Sequence, residues 1–130
     1  MKIILLVEDD DMSRDMLSRR LAKLGYVVIE ARNGVEAIEA AQTENPDLIL
    51  MDMCMPRMGG LEATRKLRSD LKTRAIPIIA LTALNLAEDV RRAIHAGCAE
   101  YETKPVALIK LNLKIRKLLG LRETLTSEKP

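Results

Sequence analysis

Short, wholly apolar runs alternate along the chain with longer segments in which apolar residues recur every three or four positions. Ile3–Val7, residues 48–51 and residues 76–81 are the runs, with Pro77 tolerated near the start of the last. They have the length of strands buried on both faces, which is the habit of a parallel sheet. Residues 26–30 form another strand, and residues 99–103 alternate polar and apolar as an edge strand should. Between them lie five stretches of helical spacing. Residues 12–24 present Met16, Leu17, Leu21 and Leu24 and close on Gly25. Residues 34–43 follow a plausible Asn33 cap with Val35, Ala37, Ile38 and Ala41 as the apolar face. Residues 61–69 carry Leu61, Thr64, Leu67 and Arg68, and residues 86–96 bury Leu86, Val90, Ala93 and Ile94 before Gly97. Residues 106–119 end at Gly120. Five alternations of strand and helix predict an α/β fold, a parallel sheet covered by helices on both faces.

The last helix has more apolar surface than one core face requires. Leu108, Leu111, Ile115, Leu118 and Leu119 make the stripe that packs on the sheet, while Val106, Ile109 and Leu113 lie on another side. This second stripe, Leu113 above all, is either core or an exposed surface for a partner or a homodimer, rimmed by Arg91, Arg92 and Lys110.

Composition narrows the class. The 130 residues predict one domain over residues 1–120 and a polar tail over 121–130, without linker or repeat. A formal charge of +2, from 21 basic and 19 acidic residues, gives no bulk reason to expect nucleic acid or membrane as a partner. Trp and Phe are absent, so base-stacking platforms are lacking too. Cys54 and Cys98 have no metal-like spacing, and His95 alone makes neither a triad nor a metal cluster. The apolar run near the N-terminus is far too short for a signal or membrane segment, so the expected location is cytoplasmic.

The chemistry collects at the carboxyl ends of the strands, where open α/β folds place their ligands. The first strand delivers Glu8 and Asp9, the third Asp52, the fourth Thr82 and the fifth Lys104. Each has an ordinary explanation alone: a turn residue, a helix-start acid, a solvated lysine. Together they put three carboxylates, a hydroxyl and an ammonium on one edge. Two like charges about 4 Å apart repel by roughly 4 kcal/mol at an effective dielectric near 20, so the cluster needs a cation or raised pKa values. All-oxygen ligands suit Mg2+, beside a carboxylate nucleophile with a hydroxyl and a lysine placed for phosphoryl oxygens.

Residues 7–10 (Val-Glu-Asp-Asp), 50–56 (Leu-Met-Asp-Met-Cys-Met-Pro), 81–83 (Leu-Thr-Ala) and Lys104-Pro105, in this order and spacing, resemble the receiver domain of two-component response regulators over about residues 1–120. The resemblance implies a flavodoxin-like, doubly wound five-stranded parallel sheet of order 2-1-3-4-5 with five helices, and a cis Lys104-Pro105 bond. It implies that Asp52 is the phosphoacceptor, taking the group from a histidine kinase or His-phosphotransfer protein. It implies that Glu8, Asp9, Asp52 and the backbone carbonyl of Cys54 hold Mg2+. Thr82 and Lys104 would contact the phosphoryl group, and Thr82 with Tyr101 would switch a target-binding face made by the fourth helix, fifth strand and fifth helix. Cys54 and Leu84, each two residues beyond a site residue, are poor bases, which implies slow self-dephosphorylation. Such a protein is a signalling switch and not an enzyme acting on a free substrate.

Three other classes compete. A haloacid-dehalogenase-like phosphatase wants a second Asp where Cys54 stands. A flavodoxin-like cofactor binder needs a phosphate-cradling loop where residues 8–11 are acidic. An interaction module that keeps the fold without being phosphorylated is the serious alternative, although none of the phosphorylation set is missing.

Overall fold

The apolar runs become the strands β1 (Ile3–Val7), β2 (Val27–Ala31), β3 (Leu48–Asp52), β4 (Ile78–Thr82) and β5 (Glu100–Thr103). The helically spaced segments become α1 (Asp11–Lys23), α2 (Gly34–Glu44), α3 (Gly60–Ser69), α4 (Ala87–Ala96) and α5 (Leu108–Leu119). The computed structural model describes residues 1–55, 58–83 and 87–120. Pro56, Leu84, Leu86 and the tail 121–130, which carried sequence expectations, lie outside the described residues.

All strands are parallel and lie in the order β2-β1-β3-β4-β5, the doubly wound flavodoxin-like order expected. The register aligns Val7 with Met51, Asp52 with Leu81 and Thr82 with Thr103, so the strands finish along one edge. Because side chains alternate across a strand, the sheet feeds two separate cores. Leu6, Leu50, Ile79 and Leu81 pack with Leu17 and Leu21 of α1 and Leu111 and Ile115 of α5. Leu5, Ile49, Met51 and Ala80 pack with Ala37 and Ala41 of α2, Ala63 and Leu67 of α3 and Ala93 of α4.

Caps fix where helices start. Asp10 accepts a 2.8 Å hydrogen bond from the Ser13 amide, and Asn33 a 2.9 Å bond from the Glu36 amide, each cap worth about 1 kcal/mol. At the other end of α4, Gly97 has φ of +121°, and Arg68 lies over it so closely that a Cβ there would overlap the Arg68 side chain. Arg68 Nε donates to the Gly97 carbonyl at 2.9 Å, tying α3 to the end of α4.

Several expected core positions face water. α1 turns only Leu17 and Leu21 fully inward, leaving Met16 at the margin and Leu24 beyond the last turn. Val35 lies off the face that α2 presents through Gly34, Ala37 and Ala41, and Ile94 flanks the Ala93 and Ala96 face of α4. A helix resting on a sheet through alanines covers a narrow arc, which is why Val35 of α2 and Ile94 of α4 stay exposed. The second stripe at α5 divides between the two alternatives: Val106, just before the helix, joins the core, while Ile109 is 80% and Leu113 46% exposed. The alternation of β5 is also corrected. Glu102 is buried beneath α5, because Lys114 reaches down to pair with it at 2.8 Å.

Candidate functional site

The end of β1 places Glu8 under tight constraint. Its amide donates to the Ala31 carbonyl at 3.0 Å, and its own carbonyl accepts from Arg14 Nη1 at 2.9 Å. Its carboxylate is almost wholly buried, with Oε1 accepting from Lys104 Nζ at 2.7 Å and Oε2 from the Asp10 amide at 3.2 Å. Asp9, next in the chain, is exposed.

Asp52 is the last residue of β3 and is buried. Its Oδ1 accepts from the Cys54 amide at 3.1 Å and lies 3.4 Å from Lys104 Nζ. The Cys54 main chain is thereby drawn beside the carboxylate, while Cys54 as a residue is exposed. Behind Asp52 there is no spare room: a Cβ on Gly60, at the start of α3, would overlap the Asp52 carbonyl oxygen and approach Met53 Cα. Thr82 ends β4, buried, and its carbonyl accepts from the Lys104 amide at 2.8 Å, so the main chain holds those two residues together. The Lys104-Pro105 bond is cis, as the resemblance implied.

Carboxylate oxygens of Glu8, Asp9 and Asp52 all lie within 4.8 Å of one another. Burial, reinforced by the nearby Glu8 charge, pushes the Asp52 carboxyl up to about 7, against the opposing pull of the Cys54 amide and Lys104. Burial alone would lower the Lys104 ammonium, but the hydrogen bond to Glu8 and the charge of Asp52 outweigh it, and its pKa stands above the ordinary lysine value. A carboxylate held so reluctantly is one a cation would stabilise. The donor set, oxygen throughout with two carboxylates buried and one open to solvent, fits a hard divalent ion such as Mg2+.

The structure thus brings five predicted residues, Glu8, Asp9, Asp52, Thr82 and Lys104, with the Cys54 main chain, to one edge. Tyr101 stands apart, half-buried on β5, packed at the border of the alanine-rich core. Sequence reasoning missed Arg14, which holds the Glu8 carbonyl while also pairing with Asp11 at 2.6 Å and Glu30 at 3.1 Å. The Asp11 spacing on the helix was a signal for it; the contacts with β1 and β2 were not. Gly60 and Lys114 were missed as well, and only tertiary packing reveals them.

Comparison with known proteins agrees with this geometry. Residues 4–116 match the family model described as the response regulator receiver domain. The polar-differentiation response regulator DivK of Brucella anthropi is 37% identical over 119 residues, 92% of this chain and 97% of that protein. The receiver domain of the sensor histidine kinase PA1611 from Pseudomonas aeruginosa, solved with a magnesium ion coordinated in its active-site cleft, superposes with a TM-score of 0.86. It is 35% identical, and the match covers 92% of this chain and 98% of that one. The chemotaxis response regulator CheY4 of Vibrio cholerae gives a TM-score of 0.85 at 30% identity, covering 91% and 98% of the two chains. No helix among the described residues is long and apolar enough to cross a membrane. With the family matched over most of its length and the acidic edge in place, the chain belongs to the response regulator receiver domains.

Proposed function

We propose that this chain is a phosphorylation switch in which Asp52 accepts a phosphoryl group from a phosphohistidine of a histidine kinase or phosphotransfer protein. The observation that carries the reading is the burial of Asp52 at a strand end, between the carboxylates of Glu8 and Asp9 and 3.4 Å from the Lys104 ammonium. An Asp52 carboxylate oxygen attacks phosphorus; the new O–P bond forms as the P–N bond breaks, and the imidazole leaves with the electron pair. Glu8, Asp9, Asp52 and the Cys54 carbonyl hold Mg2+, which when bound offsets charge on the phosphoryl oxygens. Lys104 moves from its carboxylate partners to a phosphoryl oxygen, and the Thr82 hydroxyl donates to another.

The added group carries about two negative charges. It biases the fold only through contacts made in one state, here those of Thr82 and Lys104, with Tyr101 repacking as Thr82 moves. The output is the face formed by α4, β5 and α5, read by a downstream protein. Residues 1–120 act as the one receiver unit. Exposed Cys54 offers no carboxylate or amide to orient water, so the acyl phosphate is long-lived; Cys54→Asp shortens its decay, followed as loss of the adduct with time.

Intact-mass spectrometry after incubation with acetyl phosphate tests the reading. The expected result is a single phosphate adduct on the wild type, absent from Asp52→Asn and from a magnesium-free control. A folded wild type that takes up no phosphate sinks it and favours a phosphorylation-independent interaction module.

A further inference from the structure

Lys114 projects from α5 against β5 and makes three contacts there. Its ammonium donates to the Tyr101 carbonyl oxygen at 2.6 Å and to Glu102 Oε1 at 2.8 Å, and it lies over the Tyr101 ring, 5.0 Å from its centre. Glu102 is only 5% exposed, so its charge requires a fixed partner. The ammonium is therefore anchored by the strand before it meets the ring. A cation within about 6 Å of an aromatic face is attracted to it.

Resting on the reading of Tyr101 as the switch residue, we infer that Lys114 is a positioning residue that latches the Tyr101 ring in the unphosphorylated state. The bonds to the Tyr101 carbonyl and to Glu102 leave the ring free to turn. The contact with the ring face does not, because it exists only while the ring stands where it now does. An attraction present in one of two states shifts their ratio toward that state, here by roughly two- to fivefold for a contact of this kind. Removing the ammonium raises the turned-in population by that factor and tightens binding of a phosphoryl mimic by up to the same factor.

Ring-labelled tyrosine NMR in the full chain, titrated with beryllium fluoride and magnesium, tests this. The only tyrosines are Tyr26 and Tyr101, so a Tyr26→Phe variant assigns the signals. Without the mimic, the Tyr101 signal of Lys114→Met is expected to lie part-way toward its position in the saturated wild type. Lys114→Arg, which keeps a cation, is expected to restore the wild-type signal. The double variant Lys114→Met/Glu102→Leu removes the stranded buried carboxylate, keeps the fold and is expected to show the same displacement as Lys114→Met. A Lys114 that merely braces α5 lowers the unfolding midpoint without moving the ring signal, and unmoved signals in both charge-free variants overturn the latch. A wild-type Tyr101 signal that stays still at saturating mimic removes the switch itself, and the latch with it, whatever the variants do.

Discussion

Among the described residues, ten of the eleven buried core residues on the α1 and α5 side of the sheet are leucine or isoleucine, the other being Tyr26. On the α2, α3 and α4 side, six are alanine, and Met51, Met53, Met55 and Met58 fill the space around them. Large branched side chains interdigitate and leave one good packing. Alanines let helices lie close with little to interlock, and the unbranched methionines adapt to small shifts. Tyr101 packs on the alanine side, and Thr82 faces it too, two residues on from Ala80. Thr82 and Tyr101, the residues proposed to move, thus face the half of the protein whose packing least resists movement.

The sharpest way to break this comparison is to truncate one residue in each core. Leu111→Ala is expected to cost about 3–4 kcal/mol in urea unfolding, from lost transfer energy and the cavity left behind. Ala93→Gly is expected to cost about 1 kcal/mol, nearly all of it helix propensity. Equal losses would mean that the alanine core is as tightly interlocked as the other.

At the carboxyl edge of the sheet the burial of Asp52 ties stability to pH. The folded Asp52 carboxyl titrates at about 7, above its ordinary value of 3.8, so the native state binds the extra proton between those limits. The contribution of Asp52 to stability therefore falls as pH rises through that window and is lowest above it. Asp52→Asn does not titrate. In magnesium-free buffer it is expected to be more stable than wild type by on the order of 2 kcal/mol near pH 8, with the gap closing toward pH 4. Magnesium is expected to narrow the gap from the wild-type side, read as a rise in melting temperature.

A smaller effect is expected where the alanine side touches the site. Gly60→Ala forces a methyl against the main chain of Asp52 and Met53, for about 1–2 kcal/mol of strain and a reduced yield of phosphate adduct. The least effect belongs to the outer face of α5. Ile109→Ser and Leu113→Ser are expected to change stability by less than about 0.5 kcal/mol, since neither side chain is well buried.

The parts legible in the sequence are those fixed by local pattern. β1, β3 and β4 announce themselves as apolar runs, and the strand ends name Glu8, Asp9, Asp52, Thr82 and Lys104 because a parallel sheet has only one carboxyl edge. Boundaries slipped where local signals conflict. β4 starts at Ile78 because Pro77 has no N–H to give the ladder, and α5 starts at Leu108 after a cap, Ala107, whose side chain makes no hydrogen bond. The burial of Glu102 and the exposure of Ile94 were not legible, since each depends on an element elsewhere in the chain. For Glu102 that element supplies Lys114, twelve residues on.

The contact between Lys104 and Glu8 joins residues 96 apart in sequence and strands that are not neighbours in the sheet. Closing it requires β3 and β4 to be docked between them, so the contact is present only when all four strands from β1 to β5 along that stretch of the sheet are in place. A chain still folding, or one opened locally at β5, has Asp52 without Lys104 beside it. On the proposed function, the ammonium that would meet the phosphoryl group is then missing, so the switch would work only in the finished sheet.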